Sequence, residues 1–120
     1  MSLDLINLYD YEARAKEVLP RVTWDFIDAG SMDEITTRRN RTAFEELRLR
    51  PRFLRDITER SISTTVLGTE ISLPVMIAPA GNHMLAHPDG ELATARAAGL
   101  SDTLMLLSAA SNYSIEEVAE

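Results

Sequence analysis

The only two imidazoles of the chain, His83 and His87, stand four positions apart in "AGNHMLAHPDGE". On one helix face that spacing would let them share a metal ion or move protons. Pro88 and Gly90 break the segment into a loop and a helix start, and no carboxylate cluster completes a site. Structural or solvent-facing histidines are the better reading, and neither a metal ligand set nor a catalytic residue is assigned. With no cysteine and no glycine-rich phosphate loop, nothing in the chain pairs a nucleophile with a base. The stronger chemistry lies in the backbone. Pro79, Ala80 and Gly81 follow directly on the apolar run "PVMIA", and Ser108, Ala109 and Ala110 close a second run, "TLMLLSAA". Small residues at such ends let a flat ligand approach main-chain N–H groups. Ordinary tight turns would show the same residues, so both readings stay open at this point.

Those loops need elements to carry them. "PVMIA" is a continuous apolar run of strand length, as in a parallel sheet covered on both faces. Gly90 to Ala98 reads as a helix burying Leu92, Ala95 and Ala98, and "TLMLLSAA" as a second buried strand. Strand, helix and strand make a βαβ unit with parallel strands, and ligands of such units gather at the C-terminal strand ends. Ser114 with Glu117 forms a capping box that announces a further helix. Upstream, "ISTTVLGTEISL" reads as a hairpin around Leu67-Gly68-Thr69.

The first half reads as helices. Leu8, Tyr11, Ala15 and Val18 fall at helical spacing, and Pro20 suits the first turn of a second helix. That helix places Val22, Phe26 and Ala29 on one face, with Trp24 and Phe26 as core residues and Gly30 as a left-handed stop. Ser31 and Glu34 make a capping box for a third helix. The expected organisation is one incomplete domain, 1–120, with helices over 1–50, a hairpin over 61–73, and the first βαβ unit plus the start of the next helix over 74–120. Two parallel strands and one and a half crossover helices cannot cover both faces of a sheet. The expectation is therefore the first part of a larger α/β domain, most simply the N-terminal portion of a (β/α)8 TIM barrel.

Composition narrows the function classes. A net charge of −7 over 120 residues argues against general nucleic-acid binding and against an anionic membrane surface. Eight of the twelve basic residues fall between Arg38 and Arg60, but the two aromatic residues of that span, Phe44 and Phe53, do not alternate with them in base-stacking fashion, and a solvated face is the simpler reading. No window reaches the roughly 18 apolar residues of a membrane span. The acidic N-terminus lacks a signal-peptide pattern and the chain lacks cysteine, so a soluble protein of a reducing, cytoplasmic compartment is expected.

Taken together, "LPRVTWDFIDAGSMDE", "NRTAFEELRLRPRFLRD", "TTVLGTEISLPVMIAPAG", "HPDGELATARAA" and "LSAASNYSIEEVA" resemble the FMN-dependent α-hydroxy-acid dehydrogenases and oxidases. The resemblance spans nearly the whole chain and only the first third of the family's barrel. It implies FMN as cofactor, a small 2-hydroxy acid as substrate, a homo-oligomer, and oxidation of an L-2-hydroxy acid to the 2-keto acid. It further implies that Pro79, Ala80 and Gly81 lie against the flavin ring and that Ser108 hydrogen-bonds to it. Phe26 falls where most members carry a substrate-binding tyrosine, and Ala80 where the usual turn has threonine. Ala110 falls where short-chain glycolate oxidases carry tryptophan, and with Gly81 it resembles the mandelate dehydrogenase branch, implying a roomier substrate wall.

The family's base histidine, substrate-pairing arginine, flavin-proximal lysine and "SNHGGRQ" signature lie downstream of the matched region, so catalysis is expected only in the complete protein. Two rival readings stand beside it. One is a non-catalytic fragment or interaction module, held by the remainder of the barrel or a complementary chain. The other is a different FMN- or phosphate-binding barrel, such as a flavin-type isopentenyl-diphosphate isomerase, against which the helical N-terminus argues.

Overall fold

The computed structural model describes residues 5–120. The chain divides into two compact units, Met1–Arg55 and Asp56–Glu120.

The first unit is helical. Asn7 caps α1 (Leu8–Val18): its side chain accepts from the N–H groups of Tyr9 and Asp10 at 2.9 and 3.2 Å, and Asp10 reaches back to the Asn7 N–H at 3.1 Å. This is a capping box built from Asn and Asp, satisfying N–H groups that a helix start otherwise leaves unpaired. Pro20 stands at the N-cap of α2 (Arg21–Asp28), one position before the expected first turn, and its carbonyl accepts from the Trp24 N–H at 2.9 Å.

Two expectations fail between α2 and α3 (Ile35–Glu46). Gly30 is not left-handed; crowding is what demands glycine there, since a Cβ would stand 2.2 Å from Thr37 Oγ1. Ser31 and Glu34 do not form a capping box, because Glu34 is itself the N-cap in a left-handed conformation (φ 55°) and its Oε1 accepts from the Gly30 N–H at 3.1 Å. No residue of the three helices is buried. Trp24 is half-buried with Lys16 Nζ 5.6 Å above its ring, while Val22 and Phe26 are 82% and 64% exposed, so the expected core face has nothing in its own unit to cover it.

The second unit begins with a hairpin. Thr64–Val66 (β1) pairs antiparallel with Thr69–Ile71 (β2), Thr65 facing Glu70. Leu67 (φ 50°) and Gly68 (φ 83°) make the turn, and positive φ at both positions matches the twist of a two-residue hairpin connection. Ile71, 2% exposed, is the deepest apolar side chain described.

The two expected strands meet in a single parallel bridge, Ile77 to Met105, with Ile77 N–H donating to Leu104 and Leu106 N–H donating to Ile77, each at 3.0 Å. The ladder stops on both sides for local reasons. The next donor in register would be Pro79, which has no N–H. In the other direction the Val75 N–H turns back to the Leu73 carbonyl at 2.8 Å, and the Val75 carbonyl accepts the Thr103 hydroxyl. Val75 and Leu106 remain 61% and 44% exposed, so neither run is covered on both faces as its composition led us to expect. Between them runs α4 (Gly90–Leu100), with Ala98 buried and Leu92 and Ala95 half-buried. After the second run, Ser114 and Glu117 form the expected capping box of α5 (Ile115–Ala119). Helices, a small hairpin and a parallel bridge around α4 make this an α/β chain. No helix among the described residues is long and apolar enough to cross a membrane.

Candidate functional site

Because Pro79 cannot extend the ladder, the chain leaves the sheet at that residue and turns across the end of the neighbouring run. The Asn82 N–H donates to the Ala110 carbonyl at 3.0 Å. Gly81 passes so close that a Cβ there would stand 2.7 Å from the Ala110 Cβ and 3.0 Å from its carbonyl oxygen. A side chain at Gly81 would force the Ala110 loop to shift, so glycine is what permits this close approach. On the other loop, Ser108 Oγ accepts from the Ala110 N–H at 3.1 Å and the Ser108 carbonyl accepts from Ser111 at 3.1 Å, which leaves the serine hydroxyl hydrogen free to donate outward.

Five of the six sequence-predicted residues therefore gather in one place: Pro79, Ala80 and Gly81 on the first loop, Ser108 and Ala110 on the second. Pro79, Ala80 and Ala110 are exposed, and the N–H groups of Ala80 and Gly81 donate to no acceptor among the described residues. The sixth, Phe26, lies in the helical unit, exposed on α2.

Behind the two loops stands a residue that sequence reasoning passed over. Glu91, in the first turn of α4, has no exposed surface. Its Oε1 accepts from the His83 N–H on the first loop and the Asn112 N–H on the second, each at 3.2 Å. Asn112 adds a bond of its own, its Oδ1 accepting from the Met84 N–H at 3.0 Å. Burial disfavours the charged Glu91 carboxylate, yet the main-chain N–H groups of Glu91, His83 and Asn112, with the nearby His83 side chain, outweigh it and hold the carboxyl below the ordinary glutamate range. Gly90 makes this fit possible: it is left-handed (φ 48°), and a Cβ would lie 2.8 Å from Met84 and 3.1 Å from the Tyr113 ring. An acidic residue at a helix start reads as a solvent-facing cap, which is why Glu91 gave no signal in the sequence.

The histidines have local tasks. His83 Nδ1 is 3.0 Å from Thr94 Oγ1, and His87 Nδ1 accepts from the Asp89 N–H at 3.2 Å. Among the described residues no group of histidine and carboxylate side chains could hold a metal ion.

Small exposed residues, free main-chain donors and an available serine hydroxyl are chemically suited to one edge of a planar, hydrogen-bonding ligand. A family model described as FMN-dependent dehydrogenase matches residues 15–120. Glycolate oxidase 3 of Arabidopsis thaliana is 47% identical over 98% of this chain, and the glycolate oxidase of Spinacia oleracea 45% identical over 98%. A soluble mutant of the membrane-associated (S)-mandelate dehydrogenase from Pseudomonas putida superimposes with a TM-score of 0.89 at 39% identity, covering 97% of this chain and 33% of that one. The chain spans about a third of the length of the curated relatives it matches, 32% in both plant enzymes. The chain belongs to the FMN-dependent dehydrogenases, an oxidoreductase family whose cofactor is FMN.

Proposed function

We propose that this chain is the N-terminal part of a (β/α)8 barrel that oxidises an L-2-hydroxy acid to the 2-keto acid, both of its compact units belonging to that one domain. The loop closure carrying Gly81 against Ala110 is the observation that supports it most directly, because it builds a ledge of small residues with free donors beside Ser108. Pro79, Ala80 and Gly81 would lie along one side of the flavin, and the Ser108 hydroxyl would donate a hydrogen bond to it. When bound, FMN supplies the two-electron acceptor. The residues of this chain would position it; the family resemblance implies that the proton-abstracting group lies in the downstream part of the protein, and the two histidines here make local contacts with Thr94 and Asp89. We further propose a homo-oligomer in the cytoplasm, from the family resemblance and the cysteine-free composition; native mass and cell fractionation test these two points.

The experiment is the absorption spectrum of the purified full-length protein, followed by anaerobic mixing with 2-hydroxy acids. Flavin bands that bleach on mixing are expected. A colourless full-length protein would favour a non-catalytic interaction module, for which the exposed Val22 and Phe26 face and the exposed Val75 would be the contact surfaces. For the substrate, the small exposed Ala110 side chain favours an aromatic or branched acid, so kcat/KM should be higher for mandelate than for glycolate; the reverse order would overturn this. Phe26 carries no donor for the substrate carboxylate. Phe26→Tyr should lower KM or raise kcat, since a hydrogen bond to a charged group is worth about 1.5–3 kcal/mol, and unchanged kinetics would remove Phe26 from the substrate wall.

A further inference from the structure

Glu91 sits where its chemistry is hard to justify by stability alone. A carboxylate without exposed surface costs free energy unless its oxygens are satisfied. Oε1 is satisfied twice, but Oε2 has no hydrogen-bond partner among the described residues. A local rule broken in this way points to a positional task.

The two donors show what that task is. His83 lies two residues beyond Gly81, and Asn112 two residues beyond Ala110. One oxygen therefore grips both loops at matching distances from the Gly81 to Ala110 contact. We propose that Glu91 is a positioning residue that locks the two loops together and so sets the spacing of the ledge; its role toward FMN rests on the function proposed above. Acceptance by a charged oxygen strengthens these bonds over neutral ones, and at 3.2 Å each they lie at the long end of N–H···O distances. The Asn82 to Ala110 and Met84 to Asn112 bonds run beside it, so the grip consists of several bonds sharing one register.

The test uses the full-length protein with FMN as the probe. In Glu91→Gln, a neutral acceptor replaces the carboxylate without loss of volume. Amide hydrogen exchange should quicken at His83 and Asn112 together and stay unchanged at Ile77, whose N–H belongs to the parallel bridge. The Kd for FMN should rise about threefold in Glu91→Gln and about tenfold in Glu91→Ala, tenfold being about 1.4 kcal/mol. Ile71→Val serves as a control that loosens the hairpin of the same unit; it should lower the melting temperature and leave the Kd unchanged. An unaltered Kd in the Glu91 variants, or a rise matched by Ile71→Val, overturns the proposal, and Glu91→Gln decides alone if Glu91→Ala does not fold. If the wild-type protein takes up no FMN, the proposed function fails, and the exchange rates at His83 and Asn112 still judge the lock.

Discussion

The two units use opposite means to hold their shape. In the helical unit, order comes from caps and surface ion pairs: Arg41 with Glu12 at 2.7 Å, Arg39 with Glu46 at 2.8 Å and Arg14 with Glu17 at 2.8 Å, all largely exposed. No side chain of α1 to α3 is buried. The unit from Asp56 onward has few ion pairs and closes around buried points, Ile71, Ala98 and Glu91. Exposed ion pairs contribute about 0–1 kcal/mol each, whereas burying a large aliphatic side chain contributes about 1.5–3 kcal/mol. Local order can thus be written in surface charge, but a loop junction has to be held from behind.

The largest expected effect tests this contrast directly. Ile71→Ala should destabilise the full-length protein by about 2–5 kcal/mol, as deletion of buried methyl groups does. Val22→Ala, at a site 82% exposed, should change stability by no more than about 0.5 kcal/mol. Urea unfolding of both variants measures the difference. Equal losses would show that the Val22 face is covered in the complete protein, and the contrast between the units would then be a property of these 120 residues alone.

Glycine offers the next test, because each unit has at least one set against a crowding neighbour. At Gly81 the obstacle is the Cβ and backbone of Ala110, which cannot rotate away; at Gly30 the closest atom is the Thr37 hydroxyl, the end of a side chain. Gly81→Ala should cost about 1–3 kcal/mol, the usual range for overpacking, and weaken FMN binding. Gly30→Ala should cost less, and Thr37→Ala should restore most of that loss. A Gly81→Ala protein with normal stability and flavin content would mean the two loops can separate freely.

What the sequence disclosed follows the same division. Signals carried by neighbours in the chain were legible: Ser114 with Glu117 as a cap, Gly68 as a turn, and the small residues that follow each apolar run. Signals that depend on distant partners were not. Glu34 shares the spacing of a capping residue, but it is itself the N-cap, left-handed, with its side chain turned back to the Gly30 N–H. The apolar run before Pro79 has strand composition, yet the lost proline donor and the Thr103 hydroxyl reduce its ladder to one bridge. Glu91 is the clearest case. Only the fold brings the His83 and Asn112 N–H groups to one oxygen, and nothing within four residues of Glu91 in the chain marks it as buried.

The smallest effects separate the two kinds of charge. Salt up to about 1 M shortens the Debye length to about 3 Å, so the ion pairs of the helical unit should weaken by no more than about 1 kcal/mol each, while the enclosed Glu91 contacts should hardly respond. Acid should do the opposite. Because the folded Glu91 carboxyl holds its proton less tightly than the unfolded one, ionisation favours the fold. That contribution is complete above the ordinary glutamate range and is lost as pH falls through it and on through the lowered folded value. Melting temperature against pH should therefore fall more steeply for the wild type than for Glu91→Gln, the two curves approaching each other in acid. Some slope will persist in the variant, since Asp56, held by Thr58, and Glu117, held by Ser114, are also lowered. Parallel curves down to about pH 3, below the ordinary range of glutamate, would show that the Glu91 charge adds nothing to the junction and that its shape alone holds the loops.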